Sequence, residues 1–225
     1  MNTKCNIALA GVATCALGTF ASADVIMDQI GSMDGANTAG GSISASQDFD
    51  AYGAYDIVAI DDFTIDSAMN LTSASMVLGG WNGYAGSAGV MGYTVSIFSS
   101  TDAAGVSIYG DVMELYFDTA DVSAFWSGGG EHISFDLGGF SLGAGTYWMG
   151  ITPFNSYPDN GQTGAFHSDI GDSSGWQGNP TGAFGFITQA TGVNYAYSLE
   201  GSGVPAPGAL VLLGLAGLAS RRRRK

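Results

Sequence analysis

Segments in which apolar and polar residues alternate recur along the middle of the chain, and a period of two is typical of half-buried β-strands. In the three clearest segments, three apolar side chains share one face: Tyr93, Val95 and Ile97; Ile133, Phe135 and Leu137; Tyr195, Tyr197 and Leu199. Further candidate strands are Val25–Ile30, Ile57–Ile65, Ser75–Gly80, Val112–Phe117, Tyr147–Thr152 and Phe184–Thr188. The sequence has no convincing long amphipathic helix.

Glycine-rich turns separate these segments, since 36 of the 225 residues are Gly. Frequent Gly disfavours helix interiors and suits tight turns between short strands. The pattern predicts an all-β fold, an antiparallel β-sandwich with jelly-roll-like or other Greek-key connections. We place this body at residues 24–203, with its last residues as a short linker.

Charge separates the body from both termini. All six basic residues lie at Lys4 and in 221–225, whereas residues 24–203 contain all 20 acidic residues and therefore carry a net charge of −20. Nucleic-acid binding depends on basic residues that neutralise phosphates, so nucleic acid is excluded as a partner. Anionic polysaccharides would need bridging cations, whereas neutral glycans face no such barrier.

The first 23 residues have the features of a secretory signal peptide. A short basic start at Lys4 is followed by the mostly apolar stretch 6–20 and by an A-x-A pattern at Ala21 and Ala23. Cleavage by signal peptidase is expected before Asp24.

An alternative for the same segment is a lipoprotein signal that modifies Cys15, although Thr14 then occupies a position that normally holds a smaller residue. Cleavage before Asp24 would remove Cys5 and Cys15, the two cysteines of the chain. The exported protein would then have no disulfide framework, thiolate metal site or cysteine nucleophile.

Residues 204–225 form a three-part tail. The segment Val204-Pro205-Ala206-Pro207-Gly208 precedes the apolar run 209–219, and the tail ends with Arg221, Arg222, Arg223, Arg224 and Lys225. As a helix, the apolar run spans about 17 Å, short of a hydrocarbon core of about 30 Å. We expect a transient membrane association with the basic cluster on the cytoplasmic side.

This tail resembles the PEP-CTERM sorting signal, with a Pro-x-Pro motif, a short apolar helix and a terminal Arg cluster in the same order. The resemblance implies processing by an exosortase-like membrane enzyme and delivery to the cell surface or an exopolysaccharide matrix. Ala206 stands where the family usually has Glu, so the resemblance does not determine which variant of the sorting enzyme recognises this tail. A simple C-terminal membrane anchor is the alternative.

The body is also loosely similar to the β-sandwich bodies of PEP-CTERM proteins, at Asp61–Thr64 and Gly145–Ile151. Within it, Pro153–Pro180 combines aromatic rings with amides and carboxylates, which suit the CH surface and hydroxyls of a neutral sugar. The candidate glycan contacts are Tyr157, Asp159, Asn160 and Trp176. In the alternative interpretation, this segment is a structural loop whose Tyr157 and Trp176 pack on the sandwich edge.

Calcium is a candidate cofactor because Ca²⁺ prefers oxygen ligands and the body has many carboxylates. The candidate ligands are Asp159, Asp169 and Asp172, and the Asp61-Asp62 pair is a further contributor. None of these residues follows EF-hand or nonapeptide-repeat spacing.

A catalytic interpretation finds little support. Gly139–Gly143 matches G-x-S-x-G, with Ser141 as nucleophile and His132 or His167 as base, but the motif needs a strand-turn-helix context. We predict a hairpin or loop there and an exposed His132. Asp61 and Asp62 would point to opposite faces of a strand and could not form a glycosidase pair.

The sequence therefore predicts an exported, non-enzymatic surface or extracellular-matrix protein, with polysaccharide as the candidate ligand. A secreted carbohydrate-active enzyme and a purely structural acidic matrix protein are the alternatives.

Overall fold

The computed structural model describes residues 23–31 and 38–204 of the chain. The sorting motif from Pro205 onwards and the signal peptide up to Ser22, including Ala21, lie outside these ranges. Of the residues predicted for the two processing signals, the described ranges include Ala23, Asp24 and Val204. Within the described ranges, no helix is both long and apolar enough to cross a membrane.

Fifteen strands and two short helices make up the described fold. The strands are β1 (Asp24–Asp28), β2 (Thr38–Ala45), β3 (Asp48–Phe49), β4 (Val58–Ile65), β5 (Met69–Trp81), β6 (Gly92–Phe98), β7 (Met113–Phe117), β8 (Ser123–Ser127), β9 (Gly130–Leu142), β10 (Gly145–Asn155), β11 (Gln162–Ser168), β12 (Trp176–Gly178), β13 (Thr188–Ala190), β14 (Asn194–Tyr195) and β15 (Tyr197–Gly203). The helices are α1 (Thr101–Ala104) and α2 (Tyr157–Asn160), and 3₁₀ turns occupy Gly53–Tyr55, Ser87–Gly89 and Thr119–Asp121.

The strands form two sheets. In the eight-stranded sheet, β5 pairs with β9 along one edge and with β15 and β11 along the other; β8, β1, β2 and β14 extend the sheet outward. The seven-stranded sheet has the order β13-β12-β4-β10-β6-β7, and β3 joins the end of β10. The pair β3–β10 is parallel and the other strand pairs are antiparallel.

The two sheets pack face to face around one main hydrophobic core. Its buried side chains come from both sheets and include Leu71, Met76, Ile133, Phe135, Tyr197, Phe63, Val95, Ile97, Met149 and Ile151. The predicted period-two alternation of β6, β9 and β15 therefore places their apolar residues in the core, because alternate side chains of a strand share a face. The all-β prediction is confirmed as two mainly antiparallel sheets.

Several local predictions were wrong. Pro153–Pro180 is not a long loop, because it contains α2, β11 and β12. Of the predicted strand Phe184–Thr188, only Thr188 lies in a strand. The apolar side chains of Phe184 and Ile187 are exposed and do not form the buried side of a sheet. Ser141 lies within the paired strand β9 rather than in a hairpin loop.

The predicted exposure of His132 was also wrong, because only 2% of this residue is accessible. Its ring stacks on Phe125 of β8, with centroids 4.9 Å apart and planes 9° apart. Burial by this neighbouring strand lowers the pKa of His132.

Candidate functional site

An aromatic cleft lies beyond the C-terminal end of β10. It has a volume of about 310 Å³, and its wall consists of Phe49, Tyr52, Tyr55, Tyr157, Gln162 and Phe184. Three parts of the chain supply these rings: β3 with its connection to β4, helix α2, and the segment after β12. We call this site the aromatic cleft.

The rings of the aromatic cleft are partly exposed and contact one another at their edges. Tyr52, Tyr55, Tyr157 and Phe184 are 46%, 45%, 39% and 38% accessible, whereas Phe49 is 6% accessible. Tyr52 meets Tyr157 edge-on at a centroid distance of 6.0 Å, and Tyr55 meets Phe184 edge-on at 5.5 Å. Exposed ring faces of this kind can contact the CH surface of a ligand without first unpacking the core.

Hydrogen bonds from Asn179 hold the two halves of the cleft together. This side chain is fully buried; its amide nitrogen donates to the carbonyl oxygen of Asp56 at 2.8 Å, and its oxygen accepts from the backbone N–H of Phe184 at 3.0 Å. The hydroxyl of Thr181 also donates to the carbonyl oxygen of Ala54. Asn179 therefore links the Phe184 segment to the Tyr52–Tyr55 turn.

Asp56 closes that turn on the other side. Its carboxylate accepts the backbone N–H of Phe49 at 2.8 Å, which fixes the residue at the floor of the cleft. Burial raises the pKa of Asp56 to about 6; the bond from Phe49 opposes this rise, and the negative charge of Asp48 adds to it.

Helix α2 holds Tyr157 at the rim. The Ser156 hydroxyl donates to Asp159 at 2.8 Å, while the buried side chain of Asn160 donates to Asn155 at 3.0 Å and accepts the Ala85 N–H at 3.2 Å. The residue after the helix is Gly161, whose φ of 64° favours glycine and whose missing Cβ leaves room for the backbone of neighbouring residues. These contacts fix Tyr157 in place while leaving its ring accessible.

An acidic groove adjoins the aromatic cleft across Phe49. This open concavity measures about 580 Å³ and is lined by Asp48, Phe49, Asp50, Thr94, Tyr109, Glu114, Tyr116 and Phe154. The Tyr109 hydroxyl donates to Asp48 at 2.7 Å. Burial raises the pKa of Asp48, the bond from Tyr109 opposes the rise, and the charge of Asp50 increases it.

The four predicted glycan contacts occupy different environments. Tyr157 lines the aromatic cleft and Asp159 is exposed beside it, whereas Asn160 points inward and is 4% accessible. Trp176 packs on a second buried cluster that includes Val58 and Ile60. For Trp176, the structure matches the alternative in which the ring packs on the sandwich.

Most rings of the cleft were missed by sequence reasoning. Tyr52 and Tyr55 lie in a short turn, and Phe184 follows the segment that was singled out. The spacing Tyr52-Gly-Ala-Tyr55 was an available signal, because two aromatic residues in a glycine-rich turn have no strand face in which to be buried.

The three predicted calcium ligands lie in two parts of the fold. Asp159 is on α2, while Asp169 and Asp172 follow β11, and all three are exposed. Across residues 23–31 and 38–204, no three His, Cys, Asp or Glu side chains converge as a metal-binding group. The calcium site stays a prediction.

The residues of the predicted Ser–His pair are not brought into contact with one another. Ser141 lies opposite Asn70 and donates to its side chain, whereas His132 lies nine residues away along the same strand, opposite Val77. His167 contacts the Ser44 hydroxyl at 2.8 Å. Extended strands rise about 3.3 Å per residue, so Ser141 and His132 are too far apart to exchange a proton directly.

Fold and site together define a strongly acidic all-β domain of two packed sheets, with an aromatic cleft and an adjoining acidic groove. A scan against protein-family models gives no match, and a search of curated proteins finds no similar sequence. The two concave sites are therefore the main structural basis for a functional proposal.

Proposed function

We propose that this protein is exported, is delivered to the cell surface or extracellular matrix by an exosortase-type system, and binds a neutral polysaccharide there without catalysing a reaction. The aromatic cleft supports the binding role, because four partly exposed rings surround one concavity of about 310 Å³. The tail from Val204 supports the sorting role through its resemblance to PEP-CTERM signals. We further infer jelly-roll-like connections, because the chain passes repeatedly between the two sheets.

A neutral sugar fits the cleft better than an ionic ligand. The apolar CH face of a pyranose ring complements an exposed aromatic face, and Gln162 at the wall can exchange hydrogen bonds with hydroxyls. The body has no Lys or Arg, so it offers no cationic partner for a sulfate, phosphate or uronate group. The acidic groove beside the cleft would repel such groups further.

Removing two rings of the cleft should abolish most of this binding. We expect Tyr52→Ala with Tyr157→Ala to weaken capture on a panel of neutral polysaccharides at least tenfold, a loss of about 1.4 kcal/mol. Binding is measured with the purified protein, with calcium and with a chelator. Calcium dependence in the native protein would support the predicted cation.

The control is Val106→Ala, which shortens an exposed apolar side chain that is 81% accessible and lines neither the cleft nor the acidic groove. It should bind as the native protein does. Equal losses in both variants, or no binding by the native protein in either condition, would contradict the proposal and favour a purely structural acidic matrix protein. Circular dichroism and thermal unfolding check that each variant is folded.

The sorting role has a separate test. Replacing Arg221, Arg222, Arg223 and Arg224 by Gln should impair processing and surface delivery, because the basic cluster holds the tail on the cytoplasmic side of the membrane. Cell fractionation and the mass of the processed chain measure the effect. Unchanged processing and location would count against the sorting interpretation.

A carbohydrate-active enzyme is the second candidate, and one observation favours it. Asp48 and Glu114 line the same groove beside the aromatic cleft, and the raised pKa of Asp48 suits a general acid. Such an enzyme would release reducing ends from its polysaccharide and lose this activity on Asp48→Asn. A binding protein would release none.

A further inference from the structure

Strand β8 forms an outer edge of the eight-stranded sheet. It pairs with β9 from Ser123 opposite Ser134 to Ser127 opposite Gly130. On the other side of β8, residues 123–126 face no strand in the described part of the chain. An exposed edge of this kind presents backbone donors and acceptors to any strand that approaches it.

The side chains of β8 are uncharged, and most of them are accessible. Residues 123–126 are all exposed, with Phe125 46% and Trp126 63% accessible, and the strand Ser-Ala-Phe-Trp-Ser carries no charge. The edge strands β1 and β7 carry carboxylates, at Asp24, Asp28 and Glu114. The edge strands β2 and β13 are uncharged like β8, but they contain no aromatic residue. Charged residues on an edge prevent sheet-to-sheet association, and β8 lacks this protection.

We propose that β8 pairs with β8 of a second copy of this chain, antiparallel and centred on Phe125. In this register Phe125 lies opposite Phe125 of the other copy, and each Ala124 lies opposite Trp126. Two aromatic rings meet on one face, while a small residue faces a large one on the other. Directly opposed side chains of these types stabilise an antiparallel pair.

A contact within one copy already orders the Phe125 ring before pairing. Phe125 already stacks on the buried His132, at 4.9 Å between ring centroids, which restricts its ring before association. Less conformational entropy is then lost when a second Phe125 packs beside it. The arrangement is two-fold symmetric, so it closes after two copies rather than growing into a filament.

Charge restricts the edges at which two copies can meet. A body with a net charge of −20 repels its own copies over most of its surface. The uncharged β8 lets two chains approach without placing carboxylates directly opposite each other in the paired strands. A cationic partner would instead be attracted to the acidic groove, so the chemistry of β8 favours a second copy.

Two five-residue strands bury little surface, well below the roughly 1,600 Å² of a standard interface, so association should be weak. Sedimentation of the full chain over a range of concentrations should show a monomer–dimer equilibrium. Raising NaCl from about 20 mM to about 500 mM should strengthen it, because salt screens the repulsion between the two acidic bodies.

The variant Ala124→Glu tests the register, since it places a carboxylate opposite Trp126 and close to its own symmetry mate. We expect the dissociation constant to rise at least tenfold. The matched control is Val106→Glu, which makes the same change in charge at a residue that is 81% accessible in the turn after α1. Equal dissociation constants for the two variants would indicate association through the terminal segments instead and would overturn the proposal.

Cross-linking gives an independent measurement. In a chain with Cys5→Ser and Cys15→Ser, Ala124→Cys should form dimers with a short thiol-reactive cross-linker, because the two Cβ atoms are diagonal neighbours about 7–8 Å apart and both aromatic rings are kept. Val106→Cys should form few. Equal cross-linking of the two variants would overturn the proposed pairing. Glycan binding is measured separately, so this proposal and the proposed function can fail independently.

Discussion

Asp61→Asn should remove most of the pH dependence of stability between about pH 4 and pH 7. In the native protein, we expect Asp61 alone to lower the free energy of unfolding by about 4 kcal/mol over this interval, at about 1.4 kcal/mol per pH unit. In the variant, only a smaller slope below about pH 6 should remain, because the pKa of Asp56 is also raised to about 6.

The cause is a fully buried carboxyl group between the two sheets. Asp61 on β4 accepts the N–H of Tyr195 on β14 at 2.7 Å and contacts the Ser174 hydroxyl at 3.3 Å. Gln29, with its amide oriented to satisfy its neighbours, donates to the same carboxyl at 2.8 Å. Asp61 therefore connects both sheets through hydrogen bonds but has no cationic partner, because the body contains no Lys or Arg.

Burial raises the pKa of Asp61 from 3.8 to about 7, with the bond from Tyr195 opposing the rise and the charge of Asp62 increasing it. Because the folded pKa is the higher one, the folded state holds its proton while the unfolded chain has lost it. Stability is therefore greatest below about pH 4, falls as the pH rises, and becomes constant above about pH 7.

Chemical denaturation at several pH values measures this dependence. The control is Asp66→Asn, which makes the same change in charge at an exposed position just after β4 and should keep the native slope. If the native protein itself showed no slope, the donors around Asp61 would have offset its burial, and the carboxyl would be ionised throughout.

The sequence predicted the strands whose two faces differ strongly in polarity and missed several whose faces are alike. Strands such as β9 and β15 alternate large apolar residues with polar ones, so their periodicity is strong. Strands β2 and β11 consist largely of Gly, Ala, Ser and Thr, whose small side chains give little contrast between faces. Their pairing partners, rather than their own sequences, place them in the sheet.

The candidate site was predicted only through Tyr157. Its other rings come from segments more than 100 residues apart, since Phe49 and Tyr52 precede Phe184 by that distance. They converge because β3 pairs with the end of β10 and because Asn179 bonds across the cleft. Neither contact produces a recognisable sequence pattern within one segment. The acidic groove could not be predicted for the same reason, because strands distant in sequence form it.

Gly178→Ala should strongly destabilise the fold. Gly178 is in β12, within the segment predicted as a loop. In an exposed loop, an added methyl group would be tolerated. In the structure, a Cβ at this position would lie 2.6 Å from the backbone carbonyl carbon of Ala104 in α1. Because backbone of the helix cannot move away as a flexible side chain could, we expect a loss of about 3 kcal/mol, at the upper end for overpacking.

The control is Gly143→Ala, in the turn between β9 and β10, where a Cβ would meet no atom within 4 Å. Its φ is not positive, so alanine should be neutral or stabilise by up to about 1 kcal/mol through the unfolded state. Thermal and denaturant unfolding compare the two variants. If Gly178→Ala were as stable as Gly143→Ala, α1 could not be packed against β12, and the buried cluster on which Trp176 packs would lose Ala104.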